Sequence, residues 1–348
     1  MIRDLKTDKK AEIFKGKADF LLACSVTATC EIEGLTQAGI KGKIPLTPTL
    51  DAEFLTTGKI FSLEDIAKTD LGIPTPALLT RAVHVLSPFS KITVLDIGLH
   101  VEPKRCNVEH FEISPSPSIT SNENFDAKSV FEKGLKFGRE YKKSGDYVIV
   151  GESTPSGTTT AQAALCALGF EVDGLFASSF KNSPISLKEE VISNSLSKIS
   201  STMSIFEKLG NCSDQMVVFV AGFILSASQR FQVLLGGGTQ MAAALLIADK
   251  LASMKQIPHD IRNIAICTTK WIAKDGASNI NALLDTLNFS VKKYYADFSY
   301  EDANIPVLKL YDEGEAKEGV GAGSAIAYGY MCGLTQKQLT QKVEELMS

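Results

Sequence analysis

The sequence predicts an α/β protein built on an open, mostly parallel sheet with helices on both faces, and three observations lead to it. Apolar, β-rich runs alternate along the chain with longer helical patterns. Several of those runs are apolar on both faces, as strands covered by helices on either side must be; a strand half open to water would alternate polar and apolar residues. Gly-rich clusters end several runs just before a helical pattern, where such sheets present loops and helix N-termini to ligands.

The 348 residues, 44% hydrophobic and 22% charged, are enough to bury a large core. Lys9, Lys10, Lys15 and Lys17 before ADFLLACSVTA imitate a secretory leader, but Asp19 breaks the apolar stretch and the globular style continues. DFLLACSV therefore reads as a strand. Further strands are expected at KITVLDIG, DYVIVG, MVVFVAG, FQVLLGGG, NIAICTT and VKKYYADF. The run from Met216 to Ala227 is shorter than the roughly 18 to 20 residues of a membrane helix, so it reads as a buried strand and the segment after it. The expected organisation has residues 1–90 contributing the first strand and part of a smaller helical subdomain formed from the chain ends. Residues 91–330 form the α/β core, and residues 331–348 a C-terminal helix.

Composition narrows the function. The seven cysteines, Cys24, Cys30, Cys106, Cys166, Cys212, Cys267 and Cys332, are scattered with no C-x-x-C pair and read as small hydrophobes of a reducing cytoplasm. The formal net charge is −4 and no Lys/Arg run has interleaved aromatics, which leaves out nucleic acid as a partner. His84, His100, His110 and His259 show no paired metal-ligand spacing, so no metal is expected. The expected ligand is small.

Three junctions share one design. In VIVGESTPSGTTTAQAALCALGF a strand runs into Gly, Ser, Thr and Pro and then into an alanine-rich helix. Gly236, Gly237 and Gly238 stand between FQVLLGGG and the helical TQMAAALLIADKLA, and Gly319, Gly321 and Gly323 open a helix after the acidic loop YDEGEAKE. Glycine lets backbone N–H groups approach a ligand that a Cβ would obstruct, and helix N-termini favour anions such as phosphate. For one Gly-rich turn, close packing of strand on helix is an equal reading; three favour a shared cleft in a Rossmann-like sheet.

Familiar signatures fail. After Gly157 comes Thr158 with no nearby Lys, so the P-loop is not met; the Gly319 cluster lacks the G-x-G-x-x-G spacing and a following βαβ unit; and in GESTP Pro155 takes the place of the last glycine of G-x-S-x-G. What remains is a phosphate cradle with two carboxylates beside it, Glu152 and Glu318. Lodged among apolar or backbone-lined walls, a carboxylate gains the proton affinity of a general base.

The order VLDIG, GESTPSGTTTAQAAL, LLGGGTQMAA, KEGVGAGSA resembles the nicotinate-nucleotide:dimethylbenzimidazole phosphoribosyltransferase family of cobalamin biosynthesis, especially its divergent branch in archaea and cyanobacteria. The match in order runs from Lys91 to Gly329. Glu152, Thr158 and Thr159 match the family's first motif, Gly237 and Gly238 its second, and Glu318, Gly319, Gly321 and Ala322 its third. The resemblance implies Glu318 as general base and Glu152 as the second carboxylate of the site. It implies a phosphate loop around Gly157, Thr158 and Thr159, substrate contacts at Gly237, Gly238, Gly319 and Gly321, and Lys188 as the counterpart of a phosphate-binding lysine. It also implies a dimer and no cofactor. Thr154 and Ser156 stand where the family has glycines, Gly157 where it has Asn, and Gln240 where it has Glu. The family's base-binding region has no clear match in residues 1 to 90.

The implied reaction moves the ribose phosphate of nicotinate mononucleotide to an aromatic base, giving an α-ribotide and nicotinate. The alternative is a ribonucleotide-binding protein that keeps the fold without the chemistry. A third reading is an unrelated dehydrogenase or hydrolase, against which the failed motifs stand.

Overall fold

Strands form where the sequence is apolar on both faces, and the computed structural model, which describes residues 1–63 and 69–348, places most of them where the pattern puts them. In chain order the elements are β1 (Ile2–Asp4), β2 (Ala18–Cys24), α1 (Thr47–Thr57), α2 (Ala77–Leu86), β3 (Lys91–Asp96), β4 (Val108–His110), α3 (Ala127–Glu140), β5 (Tyr147–Ser153), α4 (Gly157–Ala167) and α5 (Ile185–Leu196). Next come α6 (Ile205–Cys212), α7 (Gln215–Ala227), β6 (Val233–Gly236), α8 (Thr239–Lys255), β7 (Ile264–Thr269), α9 (Lys270–Ala273), α10 (Ile280–Leu284), β8 (Lys292–Ala296), α11 (Ala322–Met331) and α12 (Gln336–Met347).

Among the described residues eight strands make one sheet in the order β1-β8-β7-β6-β5-β2-β3-β4, parallel throughout except for β1, which pairs antiparallel with β8. The chain steps from β2 outward to β3 and β4, returns to β5 on the other side of β2, and continues outward through β6, β7 and β8. The winding direction therefore reverses between β2 and β5, whose ends pair at Cys24 and Ser153. An open parallel sheet parts its loops at such a point, leaving a crevice beyond the strand C-termini.

Each face carries its own helical layer. Val148 and Val150 of β5 pack with α3, α4, α7 and α8, while Tyr147 and Ile149, one residue out of phase, pack with α2, α11 and α12 from the two chain ends. The edge strands β1 and β4 were not expected; each has three residues, too few to show a period. The expectation of a strand at MVVFVAG is corrected: these residues lie in α7. Every residue of that helix is buried, so neither a 3.6 nor a 2.0 period shows in the sequence. The decisive signal was polar: the Asp214 side chain accepts from the Val217 N–H and caps the helix. Gly222 completes the packing, since a Cβ there would lie 2.3 Å from the Phe131 carbonyl of α3. Among the described residues no helix is long and apolar enough to cross a membrane.

Candidate active site

A cleft of about 990 Å³, its open mouth included, lies at the switch point. Its walls come from the β5–α4 turn, residues 177–179, the start of α8 with Ile272 of α9, the turn before α11, and N-terminal segments around residues 35–39 and 73–76 together with Asp51 of α1.

The end of β5 sends successive side chains to opposite faces through its strand period. Glu152 falls on the face of Val148 and Val150, Ser153 on the opposite face towards α1. Glu152 is 4% exposed, and its backbone oxygen accepts from the Val320 N–H at 2.8 Å, tying this turn to the one before α11. Burial first, and then the nearby carboxylates of Glu318, Asp214 and Asp51, push the Glu152 carboxyl up to about 8.

Glu318 is the most heavily hydrogen-bonded acid of the cleft. Its Oε2 accepts from the Thr269 N–H at 2.8 Å and the Thr268 hydroxyl at 3.1 Å, and its Oε1 from the N–H groups of Gly323 at 3.2 Å and Gly319 at 3.3 Å. It joins the end of β7 to the start of α11. Burial raises its carboxyl to about 7, against the opposing pull of those four donors, which favour the charged form.

Two helix starts meet beside Glu152. Ser156 takes the left-handed φ of 62° ahead of α4 and offers no side-chain cap. Its Oγ is buried without a partner, as is the Oε1 of Gln240 at the start of α8. Gly157 makes the meeting possible, because a Cβ there would lie 2.1 Å from Gln240 Oε1. Among the described residues the N–H groups of Thr158, Thr239 and Gln240 also lack a hydrogen-bond partner. The unpaired N–H groups and the Ser156 hydroxyl at two helix N-termini are donors that suit an anion.

The expected residues divide by position. Glu152, Gly157, Thr158, Gly238, Glu318 and Gly319 line the cleft. Thr159 is 1% exposed and lies off its surface, as do Gly237 and Gly321. Gly321, at φ 64°, is within 3.0 Å of the Gly151 Cα through its would-be Cβ, and Gly237 faces Met241, so both serve close packing. Lys188 sits behind the wall: its Nζ donates to the carbonyl of Ala177, a lining residue, and burial together with the charge of Lys317 lowers it to about 8. Three residues escaped sequence reasoning. Lys317, buried and paired with Asp275 at 3.1 Å, lines the cleft, and so do Asp51 and Thr75, joined by a 2.7 Å hydrogen bond.

A doubly wound sheet whose switch-point cleft joins two helix N-termini and two buried acids defines the architectural class, and the comparisons give the family. Residues 81–256 match the family model described as a phosphoribosyltransferase, and the chain belongs to that family. Its relatives include UPF0284 proteins from Sulfurisphaera tokodaii, 33% identical over 96% of this chain and 96% of the relative, and from Archaeoglobus fulgidus, 34% identical over 96% and 94%. The fold is shared with the nicotinate-nucleotide-dimethylbenzimidazole phosphoribosyltransferase of Thermus thermophilus, at a TM-score of 0.59 and 14% identity, covering 95% of this chain and 83% of that one. The likeness read from motif order thus recurs in the fold, and the relatives are archaeal, as the divergent branch implies.

Proposed function

We propose that the protein transfers the 5-phosphoribosyl group of nicotinate mononucleotide to an aromatic base, releasing nicotinate and forming an α-ribotide. The observation that carries this reading is the meeting of two unpaired helix N-termini with Glu152 and Glu318 in one cleft. The phosphate lies at the starts of α4 and α8, where Thr158 and the free N–H groups receive it, with Lys317 in the cleft wall and Lys188 behind it as cations of the site. The base nitrogen attacks the anomeric carbon from the face opposite nicotinate. The bond to nicotinate breaks with its electron pair passing to the ring nitrogen, which loses its positive charge, and the proton on the acceptor's N–H passes to Glu318. Alignment of the two rings supplies much of the rate, since a positioned pair reacts as one molecule.

The two acids divide the labour because their proton affinities differ. With Glu318 near 7 and Glu152 near 8, the state with Glu318 ionised and Glu152 protonated exists close to neutrality, so Glu318 takes a proton while Glu152 donates a hydrogen bond. Oε1 of Glu318, held by the two longest of its hydrogen bonds, is the oxygen whose contacts loosen most easily. The test is incubation with nicotinate mononucleotide and a panel of bases, with chromatography of nicotinate and ribotides. Saturable binding of the nucleotide without release of nicotinate for any base would favour a ribonucleotide-binding protein instead.

A further inference from the structure

Among the described residues, Asp51 is an acid without a cation. It is 3% exposed on α1, lines the cleft, and among the described residues makes no salt bridge. Lys317, the nearest lining cation, is taken by Asp275. The two oxygens of Asp51 instead accept one hydroxyl each, Oδ1 from Thr75 and Oδ2 from Ser153, both at 2.7 Å. Two such donors hold the carboxylate in one orientation and leave each oxygen a further lone pair. The neighbouring acid of the same helix shows the contrast. Glu53 is buried too, but it accepts from the N–H groups of Phe61, Ser62 and Lys104 and from the Ser62 hydroxyl, and it lines no part of the cleft. Glu53 anchors loops; Asp51 faces a cavity.

The surroundings of Asp51 fit a flat ring. Ile73, Pro74 and Pro76 flank Thr75 along the cleft wall, and Pro76 packs 3.5 Å from the would-be Cβ of Gly319, next to Glu318. The Tyr311 hydroxyl donates to the Pro74 carbonyl at 2.5 Å and the Thr80 hydroxyl to the Val320 carbonyl at 2.8 Å, so this wall is braced against the turn that carries Glu318. Apolar faces and two hydrogen-bond-accepting acids thus border one slot.

We propose that Asp51 selects the acceptor: the slot takes an aromatic base that carries an amino or hydroxyl group on a ring edge away from the attacking nitrogen, and Asp51 accepts the hydrogen bond of that group. The inference rests on the acceptor reading of the cleft given above. An alkyl group in that position would cover the carboxylate and leave only the Thr75 and Ser153 hydroxyls on it, its remaining lone pairs deprived of water. A site built to pair with a donor rejects the analogue that lacks one far more strongly than an apolar pocket rejects an extra methyl.

Calorimetric titration of the free bases tests this without any turnover. The wild-type protein is expected to bind adenine and 5-hydroxybenzimidazole at least about tenfold more tightly than benzimidazole and 5,6-dimethylbenzimidazole. Asp51→Ala is expected to level the series by weakening only the donor-bearing bases, with thermal melting as the check on folding. Affinities of the wild type within threefold across the series, or a preference for the dimethylated base, would overturn the assignment even if the variant failed to fold. An equal loss for all four bases in a folded variant would overturn it as well. The expected ranking without nicotinate release from nicotinate mononucleotide would sink the transferase reading and keep Asp51 as the selector. Release of nicotinate with a flat ranking would do the reverse.

Discussion

At the scale of single residues, the cleft depends on acids kept apart in proton affinity. Glu318→Gln keeps the shape and the acceptor half of the hydrogen bonds but cannot take a proton. Turnover is expected to fall by about 10² to 10⁴ while nicotinate mononucleotide still binds. A purified variant working within about threefold of the parent would remove Glu318 from the role. In the parent, kcat should rise with pH as Glu318 ionises near 7 and fall as Glu152 ionises near 8, a narrow bell whose limbs belong to the coupled pair. Glu152→Gln should flatten the alkaline limb and leave a single ionisation in place of the pair. Stability carries the same signature. A carboxyl whose folded value is raised stabilises the fold fully below its unfolded value, about 4.3, and the contribution is lost as pH rises through about 8. Glu152→Gln, which cannot ionise, should therefore resist urea better than the parent at pH 9, by on the order of a few kcal/mol, and lose that advantage near pH 4. Parallel stability curves for parent and variant from pH 4 to 9 would show that Glu152 is not the buried titrating acid.

At the scale of elements, α4 separates two adjacent threonines that the sequence treats alike. Thr158 lines the cleft and Thr159 is buried away from it, because successive residues of a helix point about 100° apart. Thr158→Val should weaken nicotinate mononucleotide by roughly tenfold, a charge-assisted hydrogen bond being worth roughly 1.5 to 3 kcal/mol, and nicotinate riboside hardly at all. Thr159→Val should leave both affinities within about twofold. Losses of equal size from the two variants would make the whole helix start structural. The junction itself was legible: an apolar run, then Gly, Pro, Ser and Thr, then alanine-rich sequence is a local statement about chain direction and capping. The residues on each face of α4 were not, since the phase of a helix is fixed only by what it packs on. The buried helix α7 was misread for a related reason, as a segment covered all round has no polar face to set its period. Asp51 was invisible because TPTLDAEFL places two acids in one apolar helix, and only the folded chain sends one to the cleft and the other to loops.

At the scale of the molecule, the cleft joins parts far apart in the chain. Residues 35–39, Asp51 and 73–76, the starts of α4 and α8, and residues 316–320 all line it. The switch point is what allows this, because β2 and β5 are neighbours in the sheet although their C-terminal loops lead to opposite helical layers. A ligand spanning the cleft therefore links both layers, and one that binds the folded state at a hundredfold excess over its Kd adds about 2.7 kcal/mol to stability. Hydrogen exchange should resolve which of these segments each ligand touches. Ribose 5-phosphate is expected to slow exchange at the unpaired amides of Thr158, Thr239 and Gln240 and to leave residues 35–39 unchanged. A free base is expected to do the opposite, and nicotinate mononucleotide with an unreactive base to protect both sets of residues together with residues 316–320. If ribose 5-phosphate instead protected residues 35–39 and left the starts of α4 and α8 untouched, the phosphate would lie beside those residues. The orientation proposed for the donor, and with it the path of the proton to Glu318, would then be reversed.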